Sequence, residues 1–431
     1  MDHEDQNPLR LFSNRNYALY FAGQLVSQVG TWMQQIALSW LAFRLTGSAF
    51  LLSVVGVSGQ LPSLLVMPYA GALADRFNRH RIIILTQICG MIQAGLLAYL
   101  TLTNQVEVWH LIGLGLFLGL VNAFDIPVRS AFVVNMLEKK EDLPAAIAMN
   151  SSLMNISRLL GPALAGFIVA SLGEGSCFLI NALSYIAVIA ALLVIRGKFD
   201  PEPREIKQST LKEIKEGLRY ALGNAPVRAS ILFLAIFGFG GMAYAVLLPV
   251  LVKDIGGDAN TLGYLSAASA FGSVIGSVFL AMRKSVIGMG RIALVSSFVY
   301  SIVLFAFGFV HDFWIALPVL ALLGGAFMLQ MGCLNTILQS VVDENKRGRV
   351  MSLFAMAFMG SIPLGSLVGG AIASRYGFQT MVFVSSAYCI TVCIIFARLI
   401  PRLRRQTRPI YIQRGLLDAE EEIDLLTKPG G

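Results

Sequence analysis

Gly71-Ala72-Leu73-Ala74-Asp75-Arg76-Phe77-Asn78-Arg79-His80-Arg81 places one acid and a cluster of bases between two long apolar runs, 49–74 and 82–103. About 20 apolar residues cross the hydrocarbon core of a bilayer as a helix, so the stretch reads as a tight loop at a membrane surface. Gly71 permits close helix packing. Asp75 sits at a helix end, where a carboxylate can meet basic side chains and the positive N-terminus of another helix. Working outward, comparable runs recur at 17–45, 110–137, 143–171, 176–195, 228–253, 260–282, 289–310, 314–340, 348–374 and 380–399. With the first two this predicts twelve transmembrane helices in an all-α integral membrane protein. The runs are too long for barrel strands, which alternate in polarity over about ten residues. Composition agrees: 56% of the 431 residues are hydrophobic and only 13% charged, about half the charge of a soluble protein.

The net charge of +8 does not mark a nucleic-acid binder, which needs its bases on one solvated face. Here they cluster between spans. With the N-terminus inside, about 28 of the 33 basic residues fall in inside loops and tails, and that asymmetry predicts cytoplasmic termini on a multi-pass protein of the cell (inner) membrane. The polar stretch 1–16 lacks a cleavable signal pattern, so the first span is expected to target the chain. All five cysteines lie in apolar runs and predict neither a disulfide nor a metal site. The four histidines are terminal or in loops, and no Gly-Lys-Ser/Thr phosphate loop occurs, so neither enzyme nor cofactor is expected.

Only 196–227 interrupts the pattern at length. Pro201 and Pro203 break structure there, and Ser209 can cap a helix with Leu211, Ile214, Leu218 and Ala221 on one face. This predicts a surface spacer helix. The expected organisation is a cytoplasmic 1–16, a six-helix bundle over 17–195, the connector 196–227, a second bundle over 228–399 and a cytoplasmic tail 400–431. A shift of 204 positions lays Gly161, Ala165, Gly166 and Gly173 on Gly365, Gly369, Gly370 and Gly377, so the bundles read as repeats around a midplane cavity.

Charges deep in a span cost about 3 kcal/mol or more and are functional candidates by default. Three qualify: Asp125 and Arg129 in span 4, and Arg158 in span 5. Asp125 and Arg129 have ion-pair spacing on a helix. Arg158 lies at a similar depth, roughly 22 Å against 18 Å from the inner end, so all three are expected in one cluster. Their repeat equivalents, Leu329, Cys333 and Ile362, are uncharged. The alternative is a structural staple between spans 4 and 5. Span 1 offers Gln24, Gln28, Thr31 and Gln35 on one face with Trp32 alongside, expected to look into a cavity or a neighbour. Asn150, Asn155, Tyr244, Gln330, Asn335 and Gln339 are further cavity candidates.

The 71–81 stretch resembles the signature loop of the major facilitator superfamily, with His80 at a usually basic position. The resemblance implies a cytoplasmic gate in which Gly71, Asp75, Arg76, Arg79 and Arg81 latch against the start of span 11, near Arg347 and Arg349. Gly161-Pro162-Ala163-Leu164-Ala165-Gly166 resembles the family's antiporter motif, with Ala165 replacing one glycine. Ala123-Phe124-Asp125-Ile126-Pro127-Val128-Arg129, Arg158-Leu159-Leu160-Gly161-Pro162, Phe178-Leu179-Ile180-Asn181-Ala182-Leu183-Ser184-Tyr185 and Arg347-Gly348-Arg349-Val350-Met351-Ser352-Leu353 resemble the enterobactin-exporter-like branch. The resemblance implies a secondary active transporter exporting a small organic molecule, drug or siderophore, in exchange for protons; Asp125, the only acid read deep in a span, is the candidate proton-exchanging group. The net positive cluster suits an anionic or polar aromatic cargo. The alternatives are an importer or facilitator on the same fold and a membrane sensor or scaffold using the acidic tail Asp418–Asp424. No obligate protein partner is expected.

Overall fold

The computed structural model describes residues 8–74, 77–137, 139–195, 210–283 and 285–414. Asp75, Arg76, Pro201, Pro203, Ser209 and the acidic tail from Asp418 lie outside them. The described residues form α-helices joined by short turns. Ten stretches are long and apolar enough to cross a membrane, or eleven if α8 (Thr210–Gly223) and α9 (Ala225–Gly241), bent by 106°, form one. The reading of twelve exceeds this for two physical reasons. The 32-residue helix α1 (Arg15–Thr46) carries Gln24, Gln28, Gln34 and Gln35, which dilute its hydropathy. Span 7 breaks into α9, α10 (Ala243–Val246) and α11 (Leu248–Asp254), where Pro249 sits at the start of the last piece.

Span 2 also breaks, into α2 (Ala49–Ser58) and α3 (Leu61–Ala74), just ahead of Pro62. The other helices follow the expected spans closely: α4 (Arg79–Leu102), α5 (Val108–Met136), α6 (Leu143–Leu172), α7 (Glu174–Val194), α12 (Ala259–Ala281), α13 (Met289–Phe307), α14 (Phe313–Val341) and α15 (Glu344–Tyr376). Only α16 (Phe378–Gln413) runs far past its expected end at 399.

The chain divides into two compact units. The first holds the described residues through Ile195 together with 245–270 and 311–313. In it α1 packs along α6 and α7, α4 along α5 and α7, and α3 along α5. Gly119 makes the last approach possible: a Cβ there would stand 2.7 Å from the Gly59 carbonyl oxygen. Asp258, which caps α12, accepts the Thr261 backbone N–H at 3.0 Å, and that bond holds its carboxyl below the usual carboxylate range.

The second unit holds 210–244, 271–310 and the described residues from 314. Here α9 packs on α15 and α16, and α13 on α16. Its centre is aromatic: fully buried Tyr300 donates to the Gly241 carbonyl at 2.6 Å and lies among Phe237, Tyr244 and Phe327. The connector helix α8 docks on α15. Glu216 pairs with Arg349 at 2.8 Å, and the Tyr220 hydroxyl donates to Asp343 at 3.2 Å beneath the Lys346 ammonium. Ala221 is buried while Leu218 is exposed.

The repeat is visible inside each unit separately. Gly173 closes α6 at φ 80°, ψ 168°, and its equivalent Gly377 closes α15 at φ 88°, ψ 160°. Both conformations are open to glycine and strained for other residues. Gly161 presses on Trp32 of α1, and its equivalent Gly365 presses on Phe239 of α9.

Candidate functional site

Asp125 is 2% exposed in the middle of α5, one turn before Arg129. Four-residue spacing puts both on one helix face, and Arg129 Nη2 donates to Asp125 Oδ2. The other carboxylate oxygen, Oδ1, accepts from Thr86 Oγ1 and Gln87 Nε2 of α4, each at 2.8 Å. Every oxygen of this buried acid is thus occupied. Tyr20 of α1 and Tyr185 of α7 stand close enough to both charges to interact electrostatically. Arg129 Nε and the Tyr20 hydroxyl are buried without a hydrogen-bond partner, a polar surplus that a water or a cargo group would satisfy.

Arg158 lies over the indole of Trp32, 5.8 Å from the ring centroid, and the ion pair of Asp125 is made by Arg129. The cause is the packing of α6: a Cβ on Gly161 would meet Trp32 Cβ at 2.4 Å, and this close crossing lays α6 on the Trp32 side of α1. On its other side Gly166 faces Gly263 of α12 with equally little space, and Gly263 would meet the Pro162 carbonyl at 2.5 Å. The Gly161–Gly166 motif therefore works as a two-sided helix crossing within the first unit.

Of the span 1 candidates, Gln24 is buried with Nε2 unpartnered, Gln28 and Trp32 are half-buried and Gln35 is exposed. The amide that makes the central contacts is Gln34. Its Nε2 donates to Gln93 Oε1 at 3.0 Å, and its Oε1 accepts from Asn181 Nδ2 at 2.8 Å. All three side chains are buried, and they tie α1, α4 and α7 together. Gln34→Leu strands two buried amide atoms, so a loss of about 1–3 kcal/mol is expected in thermal unfolding of the solubilised protein; an unchanged midpoint overturns the network's role.

Thr86, Gln87, Gln34 and Gln93 are absent from the sequence reading, and Asn181 entered only as part of a resemblance. The signal was present. An amide in an apolar run needs a partner for the same reason as a charge, and span 3 carries two.

Tyr244 lies in the second unit. It is 3% exposed and packed against Tyr300 and Phe307, because the break after α9 turns it into the aromatic centre. Gln330 is fully buried with both amide atoms unpartnered. Gln339 is exposed and donates to Asn335 at 3.1 Å, one turn away. Asn150 is exposed and Asn155 half-buried.

Of the gate residues, Gly71 lies in α3 and Arg79 donates to Asn135 at 2.9 Å. His80 bonds through Nε2 to the Leu192 carbonyl at 2.8 Å and stacks near Phe132, so this member of the loop is held by α7. Arg349 is engaged by Glu216, and Arg347 Nε is buried and unpartnered. Arg81 edges a groove of about 540 Å³ between α4 and α5, together with Asn78, Leu85, Cys89 and Phe124. Thr86 lines the same groove and bonds to Asp125.

The chain is 27% identical to the staphyloferrin A transporter of Staphylococcus aureus (strain NCTC 8325 / PS 47), covering 88% of this chain and 95% of the relative. It is 23% identical to the multidrug efflux pump Tap of Mycolicibacterium fortuitum, over 94% and 96%. It is 24% identical to macrolide efflux protein A of Streptococcus pyogenes, over 87% and 93%. In fold it is similar to the nucleoside transporter NupG, with TM-score 0.70 and 14% identity over 90% of this chain and 99% of that one. It is similar too to a bacterial homologue of the human lysosomal transporter Spinster in an inward-facing, occupied conformation, with TM-score 0.72 and 13% identity over 92% and 98%. A family described as transmembrane secretion effector matches residues 6–410, and the chain belongs to this family of major facilitator transporters.

Proposed function

We propose that the chain is a proton-coupled exporter of a small organic molecule, with twelve spans in two six-helix bundles, 17–195 and 228–399, and both termini cytoplasmic. The ten apolar stretches, α1 and the broken α9–α11 make up the twelve. The bundles open a cargo site alternately to each side. The observation that carries the reading is the buried Asp125 with both oxygens engaged.

A proton added to Asp125 finds its open lone pair on Oδ2, which accepts from Arg129 alone. Oδ1 holds two neutral donors and Oδ2 holds the cation, so neutralising the acid releases Arg129. Arg129 then carries a half-buried positive charge with no counter-ion among the described residues, and its electrostatic preference between conformations changes. A shift of a few kcal/mol suffices to move a two-state equilibrium. An anionic cargo group is a natural replacement counter-ion, which supports exchange of proton for cargo. Staphyloferrin A and macrolides, named for the relatives, are the first cargoes to try.

The test uses everted membrane vesicles with an imposed pH gradient and labelled cargo. The double variant Asp125→Asn/Arg129→Gln leaves no stranded charge. It is expected to lose gradient-driven accumulation at least tenfold while keeping cargo counterflow. Undiminished accumulation against the gradient removes Asp125 from coupling, and accumulation only in right-side-out vesicles makes the protein an importer.

A further inference from the structure

The second unit carries an apolar groove of about 380 Å³ between α9 and α16, which plays no part in the transport reading. Its floor is formed by Phe233 and Phe396, stacked with centroids 3.9 Å apart. Its walls include the outward-facing Leu232, Ile236, Ile395 and Leu399. One end is different: Arg228, Arg402 and Gln406 line it, and no acid does. Arg228 and Arg402 are exposed, so their guanidinium groups reach solvent at the rim of an otherwise hydrocarbon-like slot.

The dimensions and polarity fit one class of occupant. The lining runs from Ala225 to Ile236 on α9 and from Val392 to Gln406 on α16, about 17 and 21 Å at 1.5 Å per residue. One leaflet of hydrocarbon is about 15 Å deep, half of the roughly 30 Å core. The groove is therefore as long as one leaflet, lies parallel to the helices and carries its positive end where the headgroups of that leaflet lie. Basic pockets between spans on the cytoplasmic side are the arrangement that holds anionic phospholipid headgroups.

We propose that this groove is a binding site for an anionic phospholipid of the cytoplasmic leaflet, its acyl chain lying on Phe233 and Phe396 and its phosphate held between Arg228 and Arg402. Assignment to the cytoplasmic leaflet rests on the orientation proposed above; binding itself does not.

Native mass spectrometry of the purified full chain, titrated with phosphatidylglycerol or phosphatidylcholine, tests the site without any transport step, so its failure is separate from failure of the exporter reading. The expected result is tighter binding of phosphatidylglycerol. Arg228→Gln/Arg402→Gln is expected to weaken it roughly tenfold to thirtyfold, leaving phosphatidylcholine unaffected. Ile236→Trp, which fills the slot, is expected to weaken both lipids. Arg404→Gln/Arg405→Gln, which removes equal charge away from the groove, is expected to change neither by more than about twofold. Equal loss with both arginine pairs reduces the effect to general surface charge and overturns the site, as does no loss with Arg228→Gln/Arg402→Gln. Unchanged thermal unfolding midpoints confirm that the rim variants are folded.

Discussion

Asp125→Asn alone is expected to destabilise the detergent-solubilised protein by about 3–5 kcal/mol, and removal of both charges by much less. The single change leaves the Thr86 and Gln87 donors with an amide oxygen to bond, but it deprives Arg129, whose side chain is 23% exposed, of its only ion-pair partner among the described residues. An uncompensated buried cation is the costly species. Deleting the pair together exchanges Coulomb attraction for desolvation and comes out near neutral. Arg129→Gln alone falls between, since the carboxylate keeps two neutral donors. Thermal unfolding of the three variants decides the matter. If the double variant is as unstable as Asp125→Asn, the destabilisation comes from lost packing and not from the stranded charge.

Gly365→Ala is expected to be among the most disruptive single methyls at the described glycines. A Cβ there would stand 1.7 Å from the Phe239 carbonyl oxygen and 2.6 Å from its carbon. These are backbone atoms, so no rotamer relieves the clash and α9 must move away from α15. In a bilayer helices associate through close van der Waals contact and not through the hydrophobic effect, so separation loses much of what joins them. The expected cost is about 3 kcal/mol or more, at the upper end for overpacking. Gly161→Ala, its repeat equivalent, meets Trp32 Cβ at 2.4 Å and is expected to cost less, because the overlap is smaller and a lesser helix displacement relieves it. Folded yield by size-exclusion chromatography and unfolding midpoints rank the two. The reverse order contradicts the contact geometry.

The helices were legible because each is a long apolar run with charge at its ends; α4, α6 and α14 begin and end within a few residues of the expected spans. Two features escaped. Span 1 was read at 17–45 and runs as α1, but its inner face follows Ser27, Gly30, Gln34, Ala37 and Leu41, which only the packing partners reveal. The pieces of span 7 follow from a break that hydropathy does not register. At the site the Asp125–Arg129 pair was readable from spacing within one helix. The Thr86 and Gln87 donors and the Trp32 stack of Arg158 were not, because they depend on which helices meet and at what rotation. The latch expected between Asp75 and Arg349 is a proposal about a residue outside the described ones, whereas Glu216, which holds Arg349, lies in a helix read as a spacer.

The asymmetry of the duplicated halves has an electrical consequence. The first unit holds a buried carboxylate and two half-buried arginines in its spans, while the equivalent positions Leu329, Cys333 and Ile362 are neutral and the second unit centres on Tyr300. A transmembrane voltage does about 2.3 kcal/mol of work per elementary charge per 100 mV, and only on charge that moves across the field. Membrane potential therefore has a handle on one duplicate and almost none on its twin.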